Sequence, residues 1–235
     1  MKWRVDLQIP MLIPFIISIA LSLGAQLMVQ ASFRRYSRIP ARSGYSGFKT
    51  AQRILNENGM NEVRIEHVRG QLTDHYSPRE NVLRLSDATY SSQSIAAIGV
   101  AAHETGHAMQ HRDGYLPNKI RSSLLLPANL GSQAGPLLAG IGLVMQTALG
   151  DTLAKVGIIL FAGSVLFYLI TLPVEFNASR RAIVLLDQTG ILSGDEMKGA
   201  KSVLRAAALT YVASALTAVL YLLRYVSMAQ SRRRR

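Results

Sequence analysis

Apolar residues fall into four long blocks along the chain, and one long polar block separates the first two. The apolar blocks are Met11 to Ser32, part of the uncharged run from Ser122 to Gly150, Val156 to Val174, and Ala206 to Leu223. Each supplies close to the roughly 20 residues that an α-helix needs to cross a bilayer. Four membrane spans are therefore predicted. The first block is longer than the apolar core of a signal peptide and lacks a small-x-small cleavage site, so it reads as a retained anchor.

The polar block, residues 33–121, has its own periodicities. TAQRILNENGM places Ala51, Ile54 and Leu55 at helical spacing and ends on Asn58-Gly59, a stop signal. VRIEHVRGQL alternates at its start and predicts a strand. TDHYSPREN predicts a turn punctuated by Pro78. In NVLRLS, Val82, Arg84 and Ser86 share one strand face and Leu83 and Leu85 the other. A helix follows from Ile95 to about His111. Ser91, Ser92 or Ser94 can cap it, because a serine oxygen accepts from the unpaired N–H groups of a first turn.

The predicted fold class is mainly α: a four-span helical membrane protein with a small α+β, zincin-like catalytic region. Its parts are an anchor (1–32), the catalytic region (33–121) and two transmembrane helices (122–174). A segment with a further candidate ligand (175–201) and a last span with a basic tail (202–235) complete it. No internal repeat interrupts this order.

Composition sharpens the picture. The 235 residues are 49% hydrophobic yet carry a net charge of +12, and the mean hydropathy is +0.19. Basic and apolar residues must be segregated, and RRYSR after the first block and the terminal RRRR show that they are. Such residues flank membrane spans and face anionic lipid. No nucleic-acid motif accompanies the charge, so nucleic acid is not an expected partner. The absence of cysteine excludes disulfides and thiolate ligands.

The candidate chemistry lies in AAIGVAAHETGHAMQH, residues 96–111. HETGH is an H-E-x-x-H sequence. On a helix, His103 and His107 are one turn apart on one face, so each can give a nitrogen to the same zinc ion. Glu104 sits where its carboxylate can take a proton from a water that zinc makes acidic. Chance would produce such a pentapeptide in roughly one chain of this length in a hundred, so the motif needs a third ligand to carry weight.

The pattern H-E-x-x-H-x-x-G-x-x-H fails, because Gln110 and Asp113 occupy its last two slots. Downstream of His107 there are two glutamates. Glu196, in SGDEMKG, reads as a turn. Glu175, in LPVEFNASRR, follows the third span and reads as the first turn of a helix. An acidic residue also suits that position as a plain helix-end charge. Glu175 is the expected third ligand, and Ser179, one turn on, could support a ligand by hydrogen bonding. His111 reads as a surface or supporting histidine, with a ligand role in another metal geometry as the sharper alternative. His75 and Tyr76 are candidate donors to a developing oxyanion.

HETGH, with DHYSPRENVLRLS upstream and EFNASRRA downstream, resembles the YugP-like family of bacterial membrane-bound zinc metallopeptidases, over nearly the whole chain. More distantly the chain is similar to HtpX-type membrane proteases. The resemblance implies Zn2+ at His103 and His107, catalysis by Glu104, Glu175 as third ligand (a gluzincin-like set), and NVLRLS as the active-site edge strand. The wider kin often carry an acidic residue where this chain has Ser179.

The expected function is thus a membrane-embedded zinc metallopeptidase, cutting protein or peptide substrates that are themselves membrane-associated. The alternative is a non-catalytic zinc-binding scaffold or chaperone, against which Glu104 argues. The expected location is the bacterial inner membrane, multi-pass. Arg34, Arg35, Arg38, Arg42 and Lys49 follow the first span, whereas Lys2 and Arg4 precede it. By the positive-inside rule the site faces the cytoplasm, and the terminal RRRR argues the other way. Substrate identity and oligomeric state are not legible.

Overall fold

A computed structural model of the chain describes residues 3–145 and 147–233, with side chains described for 15–145 and 147–232. Lys2, Arg234 and Arg235 of the charge reading lie outside the described residues, as does the Arg4 side chain. The fold is mainly helical with one small sheet. In chain order the elements are α1 (Trp3–Tyr36), α2 (Gly47–Glu57), β1 (Arg64–Val68), β2 (His75–Ser77), β3 (Val82–Ser86), α3 (Ile95–Arg112), α4 (Leu116–Val144), α5 (Ala148–Gln188) and α6 (Gly194–Arg233). They form two compact units. One holds the chain up to Ala25, Ile120–Leu172 and the chain from Thr210; the other holds Gln26–Lys119 and Pro173–Leu209.

In the second unit, helix α2 starts where the Ser46 side chain accepts from the Lys49 amide. It buries Thr50, Ala51, Ile54 and Leu55 on one face, as the helical spacing predicts. It stops at Asn58, and Gly59 takes a positive φ of 68° that a residue with a Cβ would resist. The sheet has the order β1-β3-β2. Strand β1 runs parallel to β3 and β2 antiparallel to it. Leu83 and Leu85 enter a core with Ile54, Leu55, Ile98, Leu186 and Ile191, all 2% exposed or less. Helix α3 is capped by Ser94, whose oxygen accepts from the Ala97 amide.

Two local expectations are corrected here. His75–Ser77 is not turn but strand, paired through Tyr76 opposite Leu83. Three residues before a proline are too few to show an alternation. Conversely, Val82–Ser86 is the central strand and not an edge, since β1 and β2 flank it. Covered on both faces, Val82, Leu83, Leu85 and Ser86 are all buried, so apolar Val82 sits on the same face as Arg84 and Ser86 rather than opposite them.

In the first unit, α4 and α5 approach closely along a seam of small residues. A Cβ on Gly131 would stand 2.4 Å from the Leu160 carbonyl oxygen, and one on Gly157 2.3 Å from the Ala139 nitrogen. Gly135 and Gly142 are confined too, with nearest atoms at 2.8 and 2.3 Å from such a Cβ. Such residues let helix backbones touch where lipid offers no hydrophobic drive to pack.

Among the described residues, three helices are long and apolar enough to cross a membrane: Phe15–Tyr36, Ala148–Gln188 and Gly194–Arg232. The expected second span is not one of them. Helix α4 forms, but Asn129, Ser132, Gln133 and its glycines and prolines dilute its apolar character. The uncharged run that suggested this span also crosses the break between α4 and α5. Glu175 and Glu196 are corrected too. Glu175 lies deep within the continuous helix α5 rather than in a first turn. Glu196 lies in the first turn of α6, where its Oε1 accepts from the Arg42 amide at 2.7 Å.

Candidate metal centre

The site is built in the second unit where α3 meets α5. Two features of sequence allow the approach. Gly106, inside HETGH, lies against the backbone of Ala178, and a Cβ there would stand 2.7 Å from the Ala178 oxygen. Ala178 and Ala182 on α5 are themselves fully buried and small. The helices therefore meet close enough for short and medium side chains to converge.

His103 and His107 project from one face of α3 with ring centroids 4.8 Å apart and planes nearly perpendicular. Their Nε2 atoms lie 3.3 and 3.6 Å from Oε2 of Glu175. One ligand atom from each of the three residues lies within 4.8 Å of the others, and no other group of this kind occurs among the described residues. Two donors held about 2.0–2.2 Å from a tetrahedral zinc ion lie about 3.4 Å apart. The two histidine–glutamate spacings match that geometry, and the set of two imidazoles and one carboxylate suits zinc chemically. The residues present fit the ion.

The far side of each ring is also engaged. His103 Nδ1 lies 3.2 Å from the Ser179 hydroxyl, and His107 Nδ1 lies 3.0 Å from Gln110 Oε1. Partners of this kind fix ring orientation and leave Nε2 to face a metal. Ser179 was anticipated; Gln110 was not. Its signal was its place three residues after His107 on the same face, which the failed glycine slot concealed.

Glu104 is buried at 8% exposure beside the pair. Burial pushes its carboxyl up to about 7. His103 opposes the rise, Glu175 and Asp74 add to it, and the backbone amide of Tyr76 on β2 opposes it. Strand β2 thus contributes main chain to the surroundings of Glu104. Asp74 holds this strand in place, its two oxygens accepting from the amide and the hydroxyl of Ser86 at 2.8 Å each.

The remaining candidates lie outside the donor group. His75 is exposed, and its Nδ1 donates to the Thr73 carbonyl at 2.9 Å. The Tyr76 hydroxyl donates to Asn81 Oδ1 at 2.8 Å and sits 3.0 Å from His111 Nδ1. The one hydroxyl hydrogen goes to Asn81, so His111 donates to Tyr76. Burial raises the Tyr76 phenol, and Glu62 adds to the rise. His111 is exposed and pairs with Tyr76 of β2.

Fold and site together define a helical protein with membrane-length helices and a donor set of two partly buried histidines and one buried glutamate that could hold a metal ion. Comparison with known proteins places it further. The family described as "Putative neutral zinc metallopeptidase" matches residues 11–230. The chain is 46% identical over 211 residues to "Putative membrane protease YugP" of Bacillus subtilis (strain 168), covering 90% of this chain and 92% of that protein. The chain belongs to this YugP-like zinc metallopeptidase family. No solved structure matches it.

Proposed function

We propose that the protein is a membrane-held zinc endopeptidase with His103, His107 and Glu175 as ligands and Glu104 as general base. One observation carries the reading: two imidazole nitrogens and a buried carboxylate converge at zinc-like spacings, beside a second buried carboxylate. A bound zinc ion would supply Lewis acidity toward the scissile carbonyl and make a water acidic enough to attack. Glu104 takes the proton of the attacking water and passes it to the leaving amine. A carboxyl pushed toward neutrality is suited to both halves of that transfer. The Tyr76 amide on β2 favours the anionic form of Glu104. The edge strand β2, packed with α3, offers an extended substrate main-chain partners. Tyr76 and His75 lie on that edge, but the Tyr76 hydroxyl hydrogen goes to Asn81 and the His75 Nδ1–H to the Thr73 carbonyl, so a donor role toward a developing oxyanion requires that they first exchange these partners.

The substrates we infer are membrane-associated proteins, because the site unit is continuous with helices of membrane length. Chain connectivity supports a fourth crossing. The chain leaves the site unit after Lys119 and re-enters it at Pro173 along α5. If the apolar half of α5 crosses, α4, packed on it through the glycine seam, crosses beside it. Low hydropathy is tolerable where small residues face a neighbouring helix. The basic residues after the first span favour a site on the cytoplasmic face of a bacterial inner membrane, against the opposing pull of the terminal arginines. Tags at both termini should then be reached by protease from outside the cell, and protection of both would reverse the orientation.

Activity is tested on the detergent-purified chain with an unfolded protein as substrate. Cleavage should cease on chelation and return with zinc. Persistence of cleavage after complete metal removal would exclude the mechanism.

A further inference from the structure

The side chain of Gln110 is fully buried, which is unusual for a glutamine and demands that its amide be paired. Its Nε2 lies 2.8 Å from the Val174 carbonyl and 2.9 Å from Asn177 Oδ1. Its Oε1 lies 3.0 Å from His107 Nδ1. Val174 and Asn177 bracket Glu175 on α5. One amide therefore joins the second histidine of HETGH to the turn that carries Glu175.

The partners leave this amide one orientation. The Val174 carbonyl can only accept, so the NH2 end of Gln110 must face it. Asn177 Oδ1 is fixed independently, because it also accepts from Arg181 Nε at 2.9 Å, a group that can only donate. Oε1 of Gln110 is then left for His107, and the hydrogen between them belongs to Nδ1 of the ring. The Nε2 lone pair is thereby directed at Glu175. A main-chain carbonyl on α5 thus sets the tautomer of an imidazole on α3.

We propose that Gln110 is a positioning residue of the metal site, holding His107 in the Nδ1–H form and tying it to the Glu175 turn. This rests on the reading of His107 as a ligand. Gln110→Met keeps the length and the burial but removes both functions. Gln110→Glu keeps an acceptor for His107 and loses the donor to Val174.

The experiment measures zinc affinity by chelator competition on the purified full chain, beside the melting temperature without metal and the histidine 15N spectrum. Gln110→Met should bind zinc about 10- to 100-fold more weakly, the usual cost of losing a ligand's outer partner. Its His107 should lose the Nδ1–H signature. Gln110→Glu should recover most of the affinity while its metal-free melting temperature stays below the parent's. Parental affinity in Gln110→Met, or equal losses in both variants that follow stability alone, would overturn the proposal. His107→Ala is the control. If the parent itself binds no zinc, the metal-site reading fails; if parent binds, His107→Ala does not, and Gln110→Met matches the parent, only this inference fails.

Discussion

Gly106 meets Ala178 so closely that no side chain fits between them: a Cβ would lie 2.7 Å from the Ala178 oxygen. The middle of HETGH is therefore a contact surface as well as a spacer between the two histidines. Gly106→Ala must push α3 and α5 apart, and Glu175 lies three residues before Ala178. Overpacking of this kind costs about 1–3 kcal/mol. The variant should melt lower and hold zinc less well. Gly99→Ala, on the same helix, is the matched control. Its nearest neighbour, the Ala200 Cβ, would lie at 3.4 Å, an ordinary contact. That variant should match or exceed parental stability, since alanine favours a helix by up to about 1 kcal/mol over glycine. Equal behaviour of the two would contradict the close-approach account.

Glu175 should be indispensable to metal retention and dispensable to folding. Glu175→Gln keeps the shape of a side chain only 2% exposed but removes the anion. Zinc content after dialysis should fall from near one per chain toward zero, with affinity reduced more than the roughly 100-fold seen for losses of outer partners. Unchanged zinc content would remove Glu175 from the ligand set and return it to a helix-borne charge.

Asp113, at the end of α3, accepts from Arg181 on α5 and from Arg112. The Arg181 hydrogen bond, against a desolvation cost and with help from Arg112, holds its carboxyl below the usual range. The folded pKa is thus below the unfolded value of about 3.9. The pair's contribution is complete above that value and is lost as pH falls through the folded pKa. The Asp113 side chain is 37% exposed, so screening limits the contribution to at most about 1 kcal/mol. Asp113→Asn should lower the melting temperature slightly at pH 7, and the gap to the parent should close toward pH 3. A gap that widens on acidification would reverse the sign of this linkage.

Much of the site was legible because its signals are local. His103, Glu104 and His107 declare themselves by spacing on one helix, and Ser94 by its place before it. Glu175 was reachable by counting the glutamates that remain. The long-range features were not. Gln110 looked like a broken motif because its partners lie more than 60 residues away on α5. Strand β2 was hidden because three residues cannot show a period; its pairing with β3 makes it a strand. The second span is hard to read for the opposite reason. Its run carries no charge, but α4 is rich in small and polar residues that suit contact with another helix and lower its hydropathy. The depth of Glu175 within α5 was missed because the end of the third apolar block was read as the end of a helix, and α5 continues past it to Gln188.

The central claim is that Glu104 is the base of a zinc peptidase and not a buried neighbour of a structural ion. The most direct test compares the purified chain with Glu104→Gln, both loaded with zinc, on an unfolded protein substrate. The account predicts equal zinc content, cleavage by the parent, and a rate at least about 100-fold lower in the variant, as loss of a general base requires. Equal cleavage by the two would remove Glu104 from the mechanism. Zinc binding without cleavage by either, across a range of membrane-protein substrates, would favour a non-catalytic zinc-binding scaffold.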